Sequence, residues 1–246
     1  MITSRTIRQL FVTTLLGALP AIALAANFGV SPLSVDLTTQ QRSAVITVSN
    51  DDSKVIQLKV HAMRWTQNAA GEDQYQPTED LVFFPKRLEI KPGEQRIVRA
   101  GLPASPIAGD ERAYRLFVEE LPPVELPTDG QTKLSVLLSF ALPVFVAPTL
   151  ANSKLDIQAA ELSTDGTLKM QVANVGGSRA RISRVISDDG KLASESVSSR
   201  YIFPTVAKTI TAKLGKDACK AAPKRVKVEL DNQLIEVNIS NSHCAS

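Results

Sequence analysis

The chain has 246 residues, of which 43% are apolar and only 5% aromatic, with two histidines, two cysteines and a formal charge of +3. Two of its positive charges, Arg5 and Arg8, lie in the first eight residues, so the rest of the chain is close to neutral. That balance leaves no global electrostatic case for binding nucleic acid or an anionic lipid surface.

A basic start is followed by an apolar run from Leu10 to Ala25, softened by Thr13, Thr14 and Gly17. Pro20 then precedes Ala21-Ile22-Ala23-Leu24-Ala25-Ala26, where small residues sit two apart. This order predicts a secretory signal peptide over residues 1–26, cleaved after Ala25 or Ala26. The alternative is a membrane anchor, for which the run is short against the ~20 apolar residues of a span. The mature chain is therefore expected outside the cytoplasm, with no stable membrane insertion. Its remaining length of about 220 residues fits two ordinary domains.

Short Val-, Ile-, Leu- and Thr-rich segments recur along the chain, separated by turn residues and with no sustained 3.6-residue period. The pattern predicts an all-β fold of the sandwich type. Expected strands cover Phe28–Thr38, Ser43–Ser49, Val55–Trp65, Leu81–Phe84, Gln95–Gly101, Arg112–Glu120 and Lys133–Val146. In the third of these, Ile56, Leu58, Val60 and Ala62 alternate with Gln57, Lys59 and His61, so one face is expected buried and the other wet. The segment Ala147–Ser153, with Pro148 and Asn152, closes this series. A second series follows over Leu155–Leu162, Thr167–Val175, Arg179–Ser187, Val197–Phe203, Lys208–Leu214, Lys224–Leu230 and Leu234–Ser240. Asp165-Gly166 between its first two members is a hairpin signal. The expected division is 1–26 signal peptide, 27–149 first sandwich and 150–246 second sandwich.

Two features depart from a plain sandwich. Residues Leu121–Thr132 contain Pro122, Pro123, Pro127 and Gly130, and read as a long loop of the kind that is often functional. The strand after it is apolar almost throughout, with Leu134, Val136, Leu138, Phe140 and Leu142 on one parity. Pro143 has no amide donor, which places that end of the strand at a sheet edge. Either the strand is buried on both faces, or its edge is held ready for another chain. On the second reading Leu138 faces the partner, and Ser139 on the opposite parity bears on domain stability.

Cys219 and Cys244 stand alone as a late pair. In an oxidising compartment such a pair forms one disulfide, closing a loop of about 25 residues worth ~3 kcal/mol; two free thiols are the alternative. The sequence offers no constellation for catalysis. His61 falls on the wet face of a strand, and His243 adjoins Cys244 without facing it. There is no metal-binding spacing, phosphate loop or nucleophile elbow, so no catalytic residue, metal or cofactor is expected.

Several stretches together are similar to one family. Val45-Ile46-Thr47-Val48-Ser49-Asn50, Phe84-Pro85 with Leu88, Pro92-Gly93 and Arg99, Tyr114 to Pro122 closing on Glu-Leu-Pro, and Pro143-Val144-Phe145-Val146-Ala147-Pro148 resemble the PapD-like pilus chaperones in order and spacing. The resemblance covers nearly all of the first domain and, more loosely, the second. It implies two immunoglobulin-like β-sandwich domains in a boomerang, working in the periplasm on pilus subunits and an outer-membrane usher. It also implies a donor strand lent to an incomplete subunit, here through Leu134, Val136, Leu138, Phe140 and Leu142. That mode of strand addition is a known one.

The family's basic cleft residues do not carry over, because Ser34 and Pro143 occupy their places. The arrangement resembles the archaic branch, in which the cleft base comes from elsewhere. Arg115 is the candidate anchor for a subunit's terminal carboxylate, its alternative being a solvated arginine or an ion pair with Glu111 or Glu119. Arg99 reads as part of the fold. The competing function is a secreted two-domain adhesin or structural pilus component, which shares the leader, the strands and the disulfide.

Overall fold

The computed structural model describes residues 28–103, 109–122, 136–148, 152–199, 201–231 and 233–244. The expected signal peptide, most of the proline-rich loop and Leu134 lie outside these residues, as does the expected domain boundary at 149/150. Among the described residues the only helix is the four-residue α1 (Ala218–Ala221), as an all-β reading requires.

The first sandwich contains β1 (Phe28–Ser31), β2 (Val35–Leu37), β3 (Ser43–Asn50), β4 (Ile56–Gln67), β5 (Asp73–Pro77), β6 (Val82–Phe84), β7 (Arg87–Ile90), β8 (Gln95–Gly101), β9 (Arg112–Glu120) and β10 (Ser139–Val146). One sheet runs β1-β3-β8-β6 and the other β2-β10-β9-β4-β5, with β7 on the far end of β4. The strand expected over Phe28–Thr38 is split. Pro32, after a cis peptide bond, has no N–H to continue a ladder, and the chain crosses from β1 in one sheet to β2 in the other. β4 alternates as read from sequence, with Ile56, Leu58, Val60 and Ala62 all buried.

The second sandwich holds β11 (Leu155–Leu162), β12 (Thr167–Asn174), β13 (Ala180–Ser187), β14 (Ser196–Val197), β15 (Tyr201–Ile202), β16 (Ala207–Lys213), β17 (Arg225–Leu230), β18 (Leu234–Asn238) and β19 (Asn241–Ser242). Its sheets run β14-β16-β12-β11-β19 and β15-β13-β17-β18. The Asp-Gly turn between β11 and β12 needs its glycine. Gly166 sits at φ +79, and a Cβ there would lie 1.9 Å from the Gly215 carbonyl oxygen. Cys219 on α1 and Cys244 after β19 form the expected disulfide, with Cα atoms 5.2 Å apart.

The two sandwiches share a device. Asn50 at the end of β3 donates through Nδ2 to the carbonyls of Lys54 (2.7 Å) and Ile90 (2.9 Å), and its Oδ1 accepts from Asp52 N–H (2.9 Å). Asn174 at the end of β12 repeats the pattern with Ser178 (2.8 Å), Ile202 (2.8 Å) and Gly176 N–H (2.9 Å). Each buried amide is thus fully satisfied where a strand turns into a loop, which is the condition for burying it at all.

Candidate functional site

The backbone of β10 creates the site. β9 flanks it along its whole length, Ser139 opposite Glu119 through Val146 opposite Arg112. On the other side β2 pairs only with Val144, Phe145 and Val146. Glu120 N–H donates to the Leu138 carbonyl at 2.9 Å, so in this antiparallel register the even-numbered residues bond to β9 and the odd-numbered ones turn their polar groups away. Ala147 N–H donating to Leu37 O at 3.0 Å follows the same rule. Ser139 and Ala141 therefore aim N–H and C=O into a lane that β2 does not fill. Pro143 stands where that lane closes, at the edge position its missing donor demands.

The side chains follow the same parity but change surroundings along the strand. Val136 is 70% exposed, Leu138 and Phe140 are half-buried against the first core, and Leu142, at 2%, is inside it with Val144 and Val146. Phe140 meets the Phe28 ring edge-on at 5.0 Å. Ser139 and Ala141 are exposed. This corrects the expected facing. The parity of Leu138 is the core parity, and it projects beyond the sandwich only at its start, while Ser139 points away from the core. Leu142 is a core side chain in this state.

The odd parity faces the second domain. Trp65, Ala113 and Phe145 pack into the second domain's apolar cluster, with Phe203 4.7 Å and Tyr201 5.8 Å from the Trp65 ring. Arg115 lies on this face, opposite Pro143 on one side and Met63 on the other. Ser34 falls beside Pro143, since the next residue, Val35, pairs with Val144. Ser34 and Pro143, where the resemblance expects basic residues, thus lie in one row with Arg115. Neither expected ion-pair partner reaches it. Glu111 pairs with Arg179 at 2.8 Å, and Glu119 lies 3.5 Å from His61 Nδ1, too poorly aligned for a hydrogen bond. The Arg115 guanidinium stacks on Trp65 at 3.8 Å and donates to the Ala141 carbonyl at 3.1 Å. Arg99, by contrast, is exposed on the opposite sheet, between Val45 and Phe84. His61 is half-buried, stacked on Phe117 at 4.8 Å.

A lock at the domain junction escaped the sequence. Arg179 of the second domain donates to Glu111 (2.8 Å) and Asp36 (2.6 Å) and covers the Phe145 ring at 3.6 Å. Burial pushes the Glu111 carboxyl up, and Arg179 only partly offsets it. Burial also works against the Arg179 charge, but Glu111 and Asp36 outweigh it and raise its pKa. The Gln67 amide bridges Tyr201 O and Phe203 N–H, both at 3.1 Å, and Lys208 Nζ donates to Gly71 O at 3.1 Å. Burial lowers the Lys208 pKa. One signal did point here: Trp65 is a large apolar residue on the presumed wet parity of β4.

Among the described residues no cluster of histidine, cysteine and carboxylates could hold a metal ion, and no helix is long and apolar enough to cross a membrane. What remains is a two-domain immunoglobulin-like protein with an open strand edge ending at a held arginine. Residues 27–152 match the family model described as pili and flagellar-assembly chaperone, PapD N-terminal domain, and the chain belongs to that family. No curated protein matches it significantly.

Solved structures share the fold over both domains. A chain of the CsuC–CsuE chaperone–tip adhesion subunit pre-assembly complex, from the archaic chaperone-usher Csu pili of Acinetobacter baumannii, superposes with a TM-score of 0.61 at 16% identity, covering 88% of this chain and 99% of that one. The Salmonella enterica SafA pilin complex with the SafB chaperone gives 0.60 at 14% identity, with coverage of 87% and 97%. The E. coli chaperone DraB gives 0.58 at 16%, with 87% and 98%.

Proposed function

We propose that this chain is a periplasmic chaperone of the archaic chaperone–usher type, which captures pilus subunits by lending them a strand and delivers them to an outer-membrane usher. It acts without catalysis or cofactor. The observation that carries the reading is the half-open β10: a lane beside Ser139 and Ala141 that no described strand fills, in the domain that matches the family.

A subunit lacking one strand exposes an apolar groove and unpaired amides, a state prone to aggregation. The segment from Leu134 through Val136 and Leu138 to Phe140 supplies an apolar side chain at every second position and a backbone to pair with. Each aliphatic side chain buried this way contributes about 1.5–3 kcal/mol before ordering costs. Leu142 roots the donor segment in the chaperone's own core. Arg115, the cation beside the closed end of the lane, anchors the subunit's terminal carboxylate, a charge-assisted contact that also fixes where the added strand stops.

Site-specific photocross-linking in the periplasm tests this reading. A photoreactive residue at Val136 should give a covalent adduct with a small secreted subunit, and the same residue at Arg99, on the far sheet, should not. Equal adducts at both positions, or none at Val136 when subunits are present, would overturn it.

A further inference from the structure

Arg115 is held on several sides and yet has no carboxylate among the described residues. Its guanidinium carbon lies 3.8 Å from the centre of the Trp65 ring. Its Nη1 donates to Ala141 O at 3.1 Å, and its Nε is buried with no hydrogen-bond partner. The Trp65 ring is itself fixed, with Phe203 and Tyr201 edge-on against it at 4.7 and 5.8 Å and Phe145 tilted beside it at 6.0 Å. Trp65 is 2% exposed, so the ring cannot swing away without opening the domain junction.

The backbone register gives this arrangement a direction. Ala141 turns its carbonyl into the open lane, and the arginine reaches it across the strand because Ala141 presents only a methyl group on that face. A strand added to the lane meets an acceptor at Ala141 that already holds one donor, and finds no donor at Pro143. With no amide at Pro143 the ladder ends at this point, next to a cation without a carboxylate partner among the described residues.

We propose that Trp65 is a positioning residue for the anchor: its ring face, with the Ala141 carbonyl, holds the Arg115 guanidinium at the closed end of the lane. One held arginine then selects a strand that terminates there in a free carboxylate, although Ser34 and Pro143 offer no charge. The proposal rests on the reading of Arg115 as the anchor. A tryptophan face is the best aromatic partner for a guanidinium, and a fixed fork loses less freedom on binding than a mobile one.

The test uses the mature chain and two fluorescein-labelled peptides of alternating valine and serine, identical except for a terminal carboxylate or carboxamide, with anisotropy as readout. Wild type should bind the carboxylate form about tenfold more tightly. Trp65→Leu should reduce that preference to under about threefold with Arg115 still present, and Trp65→Phe should fall between. In wild type the Arg115 Nε–H resonance should be shifted upfield by the ring, and the shift should vanish in Trp65→Leu. A folded Trp65→Leu that keeps the whole preference, or an unshifted resonance in wild type, overturns the positioning role. Should Trp65→Leu fail to fold, Trp65→Phe and the wild-type resonance decide. The anchor reading fails separately: wild type that does not distinguish the peptides, or Arg115→Ala that still does, removes both.

Discussion

The two halves of β10 share one strand, one neighbour in β9 and one alternation of side chains, but they do different things. From Leu142 to Val146 the strand is a core element, with its even side chains in the first sandwich, Phe145 under the second domain and β2 closing its outer edge. Around Ser139 and Ala141 the same strand has no outer neighbour among the described residues, and Val136, just before it, projects out of the sandwich. On the proposed reading, this difference is what lets a stable immunoglobulin-like domain bind another chain. Nothing is added to the strand; among the described strands, its outer neighbour covers only part of it. The open part stays aligned because the closed part is packed on every side.

The largest effect expected from perturbing this contrast lies in the closed half. Leu142→Asp places an unpaired charge among Val144, Val146 and Leu116, at a cost of several kcal/mol. It also removes an apolar side chain worth about 1.5–3 kcal/mol. The variant should lose more than about 4 kcal/mol and yield no cooperatively folded first domain by urea denaturation. A melt within about 1 kcal/mol of wild type would show that β10 is not anchored as described.

A smaller effect is expected at the junction that holds the odd parity of β10 against the second domain. Glu111 is nearly inaccessible and pairs with Arg179. Burial dominates its titration, so its folded pKa is raised despite that partner. The charged form is therefore less favoured in the fold than in the unfolded chain. Its contribution is full below the ordinary carboxylate range and is lost as pH rises through the raised value. Two substitutions should separate. Glu111→Ala leaves the Arg179 guanidinium and backbone N–H short of an acceptor and should cost about 3 kcal/mol. Glu111→Gln keeps the shape and an acceptor, should cost under about 1 kcal/mol, and should flatten the fall in stability across that pH window. Equal losses for the two, measured by urea unfolding from acid to neutral pH, would refute this balance of burial against pairing.

The same contrast marks what the sequence could disclose. Alternation exposed the core of β4, and Pro143 located an edge, because both act through single residues and their immediate neighbours. The disulfide was legible from an isolated cysteine pair. The facing of Leu138 and Ser139 was not, because a parity rich in large apolar side chains reads the same whether it meets the chain's own core or a partner. Only the pairing of β10 with β9 shows which face meets the core. The loss of Glu111 and Glu119 as partners for Arg115 was equally hidden. Both carboxylates are near in sequence, but Arg179, far along the chain, holds Glu111, and Glu119 lies beside His61 instead. β5 went unread because all its residues are exposed and mostly polar, so neither burial nor alternation marks it.

The smallest effect on the free chain, and the one that bears most directly on function, belongs to the open half. Val136 is on the parity of Leu142 but six residues earlier, and most of its surface is in water. Val136→Asp should therefore change the stability of the free protein by no more than about 0.5 kcal/mol. In a complex with a subunit the same carboxylate would enter an apolar groove with no cation to pair it, a loss of several kcal/mol. At about 1.4 kcal/mol per factor of ten, that reduces affinity by two orders of magnitude or more. The measurement pairs a urea melt of the purified variant with recovery of subunits bound to tagged chain from the periplasm. An intact melt with lost recovery is the expected result. Intact recovery would mean that Val136 meets no subunit, and the donor segment would have to be sought elsewhere. A melt lowered as far as that of Leu142→Asp would mean that Val136 belongs to the core, and the two halves of β10 would not differ as described.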